Sequence, residues 1–471
     1  MSARPRSRPA IGDEIDGFRV LNCLHVGGMA TLWTVERSGS PARYLMKVPR
    51  LGEGEDPAAI VSFEMEQMIM PRLSGPHVPK FIAAGDFEVL PYIVMDLVEG
   101  VPLSQRLAQL PLRPDEVARI GSQIAIALDD VHRQQVVHLD VKPGNILLCP
   151  SGEVVLVDFG LSTHAALPDL MEEEFRLPYG SAPYMAPEQV LGERRDPASD
   201  LFALGAVMYH LATDRTPFGD PQRMAGLRRR LWRDPVPPRQ LDPDFPPWLQ
   251  DTILRCLSVD PAERHPTAAQ LAFDLSHPQQ SVSGDRATKM HADGPFAVFR
   301  RRLAAPKSKP PRRSNAVSIA SPAPILAVAV DLDEGSATIA ASMRMQVARI
   351  LRTMPQARLA CLNVLKIARL TIDTALDDES RNKHVQRLVG LRHWAAELQL
   401  DPSRVTFHVL EATAPADAIL EYIAANRVDH VILGARAKSI RKSLLGSVSA
   451  AVAAQAPCTV TIARSRGTYE D

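Results

Sequence analysis

Three polar side chains suited to phosphate chemistry lie close together in the first half of this 471-residue sequence. Asp140 and Asn145 lie in a polar loop between two short apolar runs, and Asp158 directly follows a third run at 154–157. We read these runs as short strands, so that the three side chains gather at strand ends. Lys142 adds a cation between the first two. A carboxylate that accepts a hydroxyl proton, oxygen ligands for Mg²⁺ and a nearby lysine are the groups that phosphoryl transfer requires.

This stretch resembles the catalytic loop and the metal-binding triplet of protein kinases. The residues that carry the resemblance are His138-Leu139-Asp140-Val141-Lys142-Pro143-Gly144-Asn145 and Asp158-Phe159-Gly160. The resemblance implies that Asp140 is the catalytic base and that Asn145 and Asp158 bind Mg²⁺. It also implies that Lys142 neutralises charge on the γ-phosphate of ATP.

One position of the catalytic loop departs from the family pattern. The family usually carries Arg before the catalytic Asp, and here this residue is Leu139. That Arg normally pairs with a phosphorylated activation loop, and leucine cannot. The polar segment 161–179 already carries the acidic residues Glu172, Glu173 and Glu174. We therefore predict that activity does not require phosphorylation of this segment.

A glycine-containing turn follows a predicted strand at residues 18–24. It resembles the glycine-rich loop of bacterial Ser/Thr kinases, whose backbone N–H groups cover the ATP phosphates. The family's first glycine is His25 here and its third is Ala30, and these departures bear on turnover more than on binding. The resemblance implies that the following loop residues contact ATP: Leu24, His25, Val26, Gly27, Gly28, Met29, Ala30 and Leu32.

A lysine, Lys47, lies inside the apolar strand predicted at residues 44–48. A buried lysine needs an anionic partner. The strand resembles the family's Val-Ala-Ile-Lys strand, which implies that Lys47 binds the α- and β-phosphates of ATP. The helical stretch 58–73 offers two carboxylates as partners for this lysine. The family pattern favours Glu66, with Glu64 as the alternative.

The stretch 91–100 is predicted to be a strand that runs into a linker. It resembles the hinge between the two kinase lobes, although the same residues alone would describe an ordinary core strand. The resemblance implies that Met95 borders the back of the ATP pocket and that Asp96 and Val98 face the adenine. The stretch 113–133 carries apolar residues at helical spacing, which predicts a helix packed in the core.

Later landmarks extend the kinase resemblance over residues 18 to about 276. The stretch 180–189 resembles the substrate-facing loop and the Ala-Pro-Glu motif of the family. In it, Ser181 takes the place of the Thr that steadies the catalytic Asp and Lys in Ser/Thr kinases, and it keeps the hydroxyl. Asp200 matches the residue that anchors the catalytic-loop backbone. Glu188 and Arg264 match an ion pair of the family. The sequence around Ser181 favours Ser/Thr protein substrates over tyrosine.

Composition describes an ordinary soluble globular protein, with 45% apolar and 23% charged residues. The net charge of zero gives no general argument for binding to nucleic acid or to a membrane. The five cysteines are scattered without a Cys-x-x-Cys pair, which fits a reducing cytoplasm. Because no apolar run reaches the roughly 18 residues that span a bilayer, we expect a cytoplasmic protein with no membrane span and no nucleic-acid partner.

Shifts in composition divide the chain into four regions. They are a disordered N-terminal lead at 1–17, a kinase domain at 18–276, a basic Pro/Ser-rich linker at 277–322 and a C-terminal domain at 323–465. The linker has little apolar surface to bury, and basic clusters lie at 300–302 and 307–313. We read it as a solvated tether, with contact to acidic lipid or nucleic acid as the alternative.

Alternating strand-like and helix-like stretches from residue 325 onwards predict a doubly wound parallel sheet. Strands are predicted at 325–331, 357–364, 405–410, 428–433 and 458–462, and helices at 336–353, 380–399 and 415–426. The first strand is apolar without alternation, as expected when both of its faces are covered.

This C-terminal stretch resembles the universal stress protein family over residues 324–464. The residues that carry the resemblance are Asp331, Gly434-Ala435-Arg436-Ala437, Leu445-Gly446-Ser447-Val448 and Ala456-Pro457-Cys458-Thr459-Val460. In ATP-binding members, two glycine turns wrap the ribose and the phosphates, which makes Asp331, Gly434, Gly446 and Ser447 candidate nucleotide contacts. Because Ala437 replaces a glycine and the following gap is one residue short, nucleotide binding here stays open against simple turn and helix-cap roles.

The motifs together predict an α+β two-lobed protein kinase fold followed by an α/β flavodoxin-like doubly wound parallel sheet. We expect a Ser/Thr kinase that uses Mg-ATP to phosphorylate proteins, itself included, with a C-terminal domain for sensing or docking and as a candidate homodimer contact. The alternative is a pseudokinase scaffold that binds nucleotide and partners without phosphoryl transfer. His25, Ala30 and Leu139 favour the scaffold, whereas the complete catalytic and metal-binding set favours the enzyme.

Overall fold

The protein consists of two kinase-like lobes followed by an α/β domain. The computed structural model describes residues 9–37, 39, 42–51, 56–280, 284–306, 323–333, 337–367, 382–435 and 446–464. The basic cluster at 307–313, the turn residue Ala437 and the first eight residues of the predicted N-terminal lead lie outside the described residues.

The N-terminal lobe is an antiparallel sheet with a long helix beside it. Its strands are β1 (Glu14–Ile15), β2 (Phe18–Val26), β3 (Ala30–Arg37), β4 (Arg43–Pro49), β5 (Phe81–Gly85) and β6 (Tyr92–Asp96), in the order β1-β2-β3-β4-β6-β5. Helix α1 (Pro57–Ile69) begins after Asp56, whose side chain accepts the N–H of Ala58 at 2.9 Å. Because side chains alternate along a strand, Val94 of β6 packs within the sheet core and Ile93 packs into the core shared with α1.

The second lobe is mainly helical. Its helices are α2 (Pro114–Arg133), α3 (Leu170–Glu174), α4 (Pro187–Val190), α5 (Ala198–Thr213), α6 (Met224–Leu227), α7 (Pro238–Leu241), α8 (Pro247–Cys256) and α9 (Ala268–Ser276). Short strands carry the loops of the cleft: β7 (Val101–Pro102), β8 (Val136–Val137), β9 (Ile146–Leu148), β10 (Val154–Leu156) and β11 (Thr163–His164). The helix predicted at 113–133 is confirmed as α2, and its apolar stripe is buried against the lobe.

Helix α3 lies in the segment 161–179, where the sequence indicates only polar chain. Asp169 caps the helix, accepting the N–H of Glu172 at 3.1 Å. Leu170 and Met171 bury its inner face. The three glutamates that make the segment polar therefore belong to a short helix that the sequence did not indicate.

Ordered elements extend past both predicted ends of the kinase domain. Strand β1 precedes residue 18 and pairs with β2. Helix α10 (Pro295–Ala304) lies in the predicted linker, against the helical lobe. Arg301 Nη1 lies 2.8 Å from Asp234 Oδ1, and the Arg302 guanidinium lies 5.7 Å from the ring centre of Trp232. An ion pair and a cation–π contact hold α10 in place. The low apolar content of this stretch predicted an unstructured linker, because apolar content does not indicate contacts of these kinds.

The C-terminal domain is a parallel sheet with helices on both faces, which confirms the predicted doubly wound fold. Its strands β12 (Ile325–Ala329), β13 (Arg358–Lys366), β14 (Val405–Ala412), β15 (His430–Ala435) and β16 (Thr459–Arg464) lie in the order β14-β13-β12-β15-β16. Its helices are α11 (Ala337–Thr353), α12 (Lys383–Ala396), α13 (Pro415–Asn426) and α14 (Ser447–Gln455), the last of which was not predicted. None of the described helices, here or in the kinase lobes, has the length and hydropathy needed to cross a bilayer.

The α/β domain packs directly on the kinase lobes. Strand β14 and helix α13 contact α3. Helix α12 reaches α1, where Arg392 pairs with Glu64. The C-terminal domain therefore touches α1 of the N-terminal lobe and α3 of the helical lobe.

Candidate active site

The catalytic-loop backbone is fixed by Asp200, in the first turn of α5. Its Oδ1 accepts the N–H of Leu139 and its Oδ2 accepts the N–H of His138, both at 2.8 Å. Gln189 donates from Nε2 to the carbonyl oxygen of Leu139 at 2.9 Å. Leu139 has a φ of 64°, a left-handed conformation that costs a non-glycine residue about 1–3 kcal/mol. These hydrogen bonds hold the strained backbone and so set the direction of Asp140.

Both carboxylate oxygens of Asp140 accept hydrogen bonds. Oδ2 accepts from Lys142 Nζ at 2.7 Å and from Asn145 Nδ2 at 2.9 Å. Oδ1 accepts from the hydroxyl of Ser181 at 2.8 Å and from its backbone N–H at 3.1 Å. The structure thus brings the candidate base together with the predicted lysine and with the loop that was predicted to face the substrate.

Asn145 and Asp158 present oxygen atoms suited to a hard cation. The Nδ2 of Asn145 donates to the backbone oxygen and to Oδ2 of Asp140, so its amide oxygen points away from both. Asp158 follows β10 with a φ of 67°, and its side chain is 44% exposed. The ammonium groups of Lys47 and, more weakly, Lys142 lower the pKa of Asp158 to about 2, despite the opposing effect of burial. An amide oxygen and an ionised carboxylate are the donor set that Mg²⁺ prefers.

Lys47 bridges two carboxylates at the back of the cleft. Its Nζ lies 2.5 Å from Glu66 Oε2 and 2.8 Å from Asp158 Oδ1. Burial opposes the charge of Lys47, but Asp158 and Glu66 outweigh burial and hold its pKa above the ordinary value. The lysine therefore stays cationic where the phosphates of a nucleotide were predicted to lie.

The two carboxylates of α1 have different partners. Glu66, the partner favoured by the family pattern, faces Lys47, while Glu64 turns towards Arg392 of the C-terminal domain. Residues two positions apart on a helix point in different directions, which explains the divergence. The sequence alternative that paired Glu64 with the lysine is wrong.

The Asp-Phe-Gly triplet is packed closely against α1. A Cβ added to Gly160 would lie 2.2 Å from Ser62 Oγ and 3.1 Å from the backbone oxygen of Ser62, so a larger residue would require the serine side chain to turn and α1 to shift slightly. Phe159 is fully buried, and its ring centre lies 4.9 Å from that of His138. The position of α1 is therefore coupled to that of Asp158.

The predicted ATP-contacting loop is the hairpin between β2 and β3. The N–H of Gly27 donates to the carbonyl of Ala30 at 2.9 Å and closes the turn. Arg50, at the end of β4, donates from its N–H to Met29 and from Nη1 to Gly27, at 2.9 and 3.1 Å. A Cβ at Gly28 would meet no atom within 4 Å. The turn is thus tied to the strand that carries the cleft lysine.

Other residues predicted to contact nucleotide lie around this hairpin and at the hinge. Leu32 lies opposite Lys47 in the β3–β4 register. The exposed residues of the loop are Leu24, His25, Val26, Gly28 and Met29. Met95 is buried at the end of β6, and Asp96 donates its N–H to Lys80 at 3.0 Å. Val98 is half-buried in the chain that leaves β6.

The predicted Glu188–Arg264 ion pair is present in the structure. Arg264 Nη2 lies 2.8 Å from Glu188 Oε2, and both side chains are buried.

Sequence reasoning missed two residues that support the catalytic loop, Gln189 and His132. Gln189 binds the carbonyl oxygen of Leu139, and the Nε2 of His132 lies 2.8 Å from Asp200 Oδ2. Neither residue shows a signal in one sequence, because its partner lies 50 or more positions away.

The candidate nucleotide contacts of the C-terminal domain have structural partners of their own. Asp331, after β12, accepts the N–H of Asp333 at 3.1 Å. A Cβ at Gly434 would lie 2.6 Å from a methyl carbon of Ile339, so close packing already requires glycine there. Gly446 is the N-cap of α14, which begins at Ser447. These contacts agree with the turn and helix-cap roles, and the rest of the predicted turn lies outside the described residues.

The two-lobed fold, with its cleft lysine, catalytic loop and Asp-Phe-Gly triplet, defines a protein kinase. The chain belongs to the protein kinase family: the model "Protein kinase domain" matches residues 26–275. The model "Universal stress protein family" matches residues 325–464.

Curated relatives are bacterial kinases. The chain is 31% identical to serine/threonine-protein kinase PrkC of Bacillus subtilis (strain 168) over 267 residues, covering 56% of this chain and 41% of that protein. It is 31% identical to PknA of Mycobacterium tuberculosis (strain ATCC 25618 / H37Rv) over 275 residues, covering 56% and 62%. The chain therefore spans less than two thirds of either relative. The PknI kinase domain of Mycobacterium tuberculosis aligns with a TM-score of 0.46 at 25% identity, over 57% of this chain and 99% of that one.

Proposed function

We propose that this chain transfers the γ-phosphate of ATP to serine and threonine hydroxyls of proteins, itself included. The observation that carries the proposal is the two sets of side-chain contacts around Lys47 and Asp140. Lys47 binds Glu66 and Asp158 on one side, and Asp140 binds Lys142 and Asn145 on the other. Phosphoryl transfer depends mainly on positioning and on charge neutralisation, and this arrangement supplies both.

Asp140 is the group that orients and deprotonates the acceptor hydroxyl. Its two oxygens are held by Lys142, Asn145 and Ser181, which fix the direction of the carboxylate, and the acceptor hydroxyl would take the place of one of these hydrogen bonds when a substrate binds. General-base assistance of this kind is typically worth about 10²–10⁴-fold in rate. Lys142 places a positive charge beside the carboxylate, where it would neutralise the negative charge that the transferred phosphoryl group carries.

Asn145 and Asp158 are the residues that would hold Mg²⁺. The amide oxygen that points away from Asp140 and the exposed carboxylate of Asp158 fit its preference for hard oxygen ligands. The bound ion would neutralise phosphate charge on the nucleotide. Lys47, held by Glu66, offers its ammonium to the same phosphates.

The hydroxyl of Ser181 supports serine and threonine as acceptors. It donates to Asp140 at 2.8 Å and joins the substrate-facing loop to the base. The two kinase relatives named above carry serine/threonine-protein kinase in their names.

Phosphate transfer from Mg-ATP to myelin basic protein tests the proposal. The wild-type chain should transfer phosphate, and Asp140→Asn should bind ATP with unchanged affinity while its transfer rate falls by about 10²-fold or more. Asp115→Asn, at an exposed position of α2, is the control and should match the wild type. A wild-type chain that binds Mg-ATP but transfers no faster than Asp140→Asn would instead be a scaffold.

A further inference from the structure

The acidic helix α3 is held by the C-terminal domain. Arg358 of β13 binds Glu173 with both guanidinium nitrogens, at 2.7 and 3.2 Å. The hydroxyl of Tyr422 donates to Glu173 Oε2 at 3.1 Å, and Asn426 donates to the backbone oxygen of Glu173 at 3.2 Å. His408 lies between the glutamates, with Nε2 3.0 Å from Glu173 Oε2 and Nδ1 2.8 Å from Glu174 Oε1.

This contact is buried, and its charges balance only when the two domains are together. The side chains of Glu173, Glu174 and His408 are 10%, 5% and 0% exposed. Among the described residues, the hydrogen bonds to the Glu173 carboxylate all come from the C-terminal domain. A buried carboxylate without partners is strongly destabilising. Helix α3 therefore depends on the C-terminal domain for its present position.

The same domain also holds helix α1. Arg392 pairs with Glu64, and its guanidinium carbon lies 5.1 Å from the ring centre of Phe87 in the N-terminal lobe and 5.7 Å from that of Phe407 in β14. Glu66, two residues further along α1, binds Lys47. Helix α1 is thus fastened on one face to the cleft lysine and on another to the C-terminal domain.

Helices α1 and α3 also contact each other. The N–H of Leu170 in α3 points at the sulfur of Met65 in α1, at 3.4 Å. Asp169, which caps α3, binds Arg194 Nε at 2.8 Å, and Arg194 donates to the carbonyl of Leu161 next to the Asp-Phe-Gly triplet. Movement of α3 would therefore reach both α1 and the metal-binding triplet.

The activation segment offers little for phosphorylation to act on. Residues 161–179 contain two Ser/Thr hydroxyls, those of Ser162 and Thr163. Both are buried, and they donate to the carbonyls of His138 and Arg194 at 3.0 Å. The catalytic loop has Leu139 where a cation would pair with a phosphate. In this protein, Glu173 and Glu174 supply the negative charge that a phosphate would add, and Arg358 and His408 of the C-terminal domain supply the cations that bind it.

We propose that the C-terminal domain is an intramolecular activator, which holds α1 and α3 in the catalytic arrangement through Arg392, Arg358 and His408. The proposal rests on the kinase activity proposed above. In this proposal, the face of the C-terminal domain that carries Arg392, Arg358 and His408 is a docking face, and it binds the kinase lobes of the same chain. Any event that releases this face would lower the rate of phosphoryl transfer.

Interface variants of the full chain test the proposal. Arg392→Ala and Arg358→Ala each remove a cation of the C-terminal domain that pairs with a glutamate outside the predicted nucleotide contacts, and each should lower kcat at least tenfold. Hydrogen exchange should become faster in residues 57–69 and 170–174. The matched control is Arg387→Ala, which removes an arginine from the same helix as Arg392 but one that pairs with Asp333 inside the C-terminal domain. This control should keep the wild-type rate and exchange pattern.

The outcomes separate this proposal from the kinase proposal. Unchanged kcat in Arg392→Ala and Arg358→Ala, with an active wild type, overturns the activator role and leaves the kinase in place. An increased kcat also overturns it, because the contact would then be inhibitory. A wild type no faster than Asp140→Asn contradicts the kinase activity and the activation together. If Arg358→Ala unfolds the chain, Arg358→Lys is measured instead, since it keeps the charge but loses the two-pronged contact with Glu173 and the hydrogen bond to Thr406. A lower kcat in Arg358→Lys supports the proposal, and the wild-type kcat in a folded Arg358→Lys overturns it.

Discussion

Asp200 binds the backbone N–H of Leu139 at 2.8 Å and holds that residue in a left-handed conformation directly before the candidate base. A carboxylate has two acceptor oxygens, and here they serve the N–H groups of Leu139 and His138, with His132 beside the second. The strain at Leu139 is therefore compensated by a fully buried anion, and the direction of Asp140 depends on it.

We predict that Asp200→Asn destabilises the protein and slows the enzyme. Asparagine has one acceptor oxygen, so one buried N–H loses its partner, at a cost of about 1–3 kcal/mol. Urea denaturation should show this loss, and kcat should fall tenfold or more. Asp115→Asn, on the surface of α2, is the control for a lost charge. Wild-type kcat in Asp200→Asn would show that Leu139 keeps its conformation without the anion.

Substitutions of the two glutamates of α1 should have different effects on ATP affinity. Glu66→Gln removes the charge that holds Lys47 from one side, so the ammonium turns to Asp158 alone. We expect ATP affinity to fall about tenfold, equivalent to 1.4 kcal/mol. Glu64→Gln should leave ATP affinity within about twofold, since the side chain faces Arg392 rather than the ammonium and its amide oxygen can still accept from that arginine. Calorimetric titration with Mg-ATP measures the affinity of both variants. Equal losses of ATP affinity in the two variants would contradict the assignment of Glu66, and not Glu64, to Lys47.

The contact of His408 with α3 should make stability depend on pH. Burial alone lowers the pKa of His408, but hydrogen bonds to Glu173 and Glu174 raise it to about 9 from an ordinary 6.5. Burial alone raises the pKa of Glu173, but His408 and Arg358 lower it to about 2 from 4.5. Tyr422 also faces this cluster.

The direction of the pH effect follows from these shifts. The histidine contribution is complete below pH 6.5 and is lost as the pH rises through 9, whereas the Glu173 contribution is lost as the pH falls from 4.5 towards 2. Thermal denaturation should therefore give a lower Tm at pH 9 than at pH 6.5. His408→Gln should reduce that difference, and His277→Gln, at an exposed site of the helical lobe, should not. Identical Tm differences in wild type and His408→Gln would contradict the role of the imidazolium.

Phosphorylation of the activation segment should be dispensable. Ser162 and Thr163 are buried and hydrogen-bonded, and Leu139 offers no cation to a phosphate. Protein treated with phosphatase, and confirmed by mass spectrometry to be unmodified at 161–179, should retain most of its initial rate. A loss beyond tenfold, about 1.4 kcal/mol of barrier, would contradict this expectation. Mock-treated protein is the control.

The sequence alone determined the elements whose causes are local. The residue types and spacing of Asp140, Asn145 and Asp158 indicated phosphate chemistry, and their resemblance to the protein kinase motif identified the catalytic loop. The apolar stripe at 113–133 predicted α2, since this pattern depends only on neighbouring residues. The unbroken apolar strand at 325–331 and the strand–helix alternation after it predicted the parallel sheet. These signals need only backbone periodicity and burial.

Tertiary structure decided the features that depend on distant partners. Glu64 and Glu66 are equally acidic in the sequence, and only the packing of α1 sends one to Lys47 and the other to Arg392. Helix α10 was not predicted from the sequence because ion pairs and a cation–π contact, rather than apolar burial, hold it in place. Glu173 reads as a solvated charge in a polar segment, yet its partner Arg358 lies 185 residues away. A buried charge is stable only beside its counter-charge, and which counter-charge that is depends on how the domains pack.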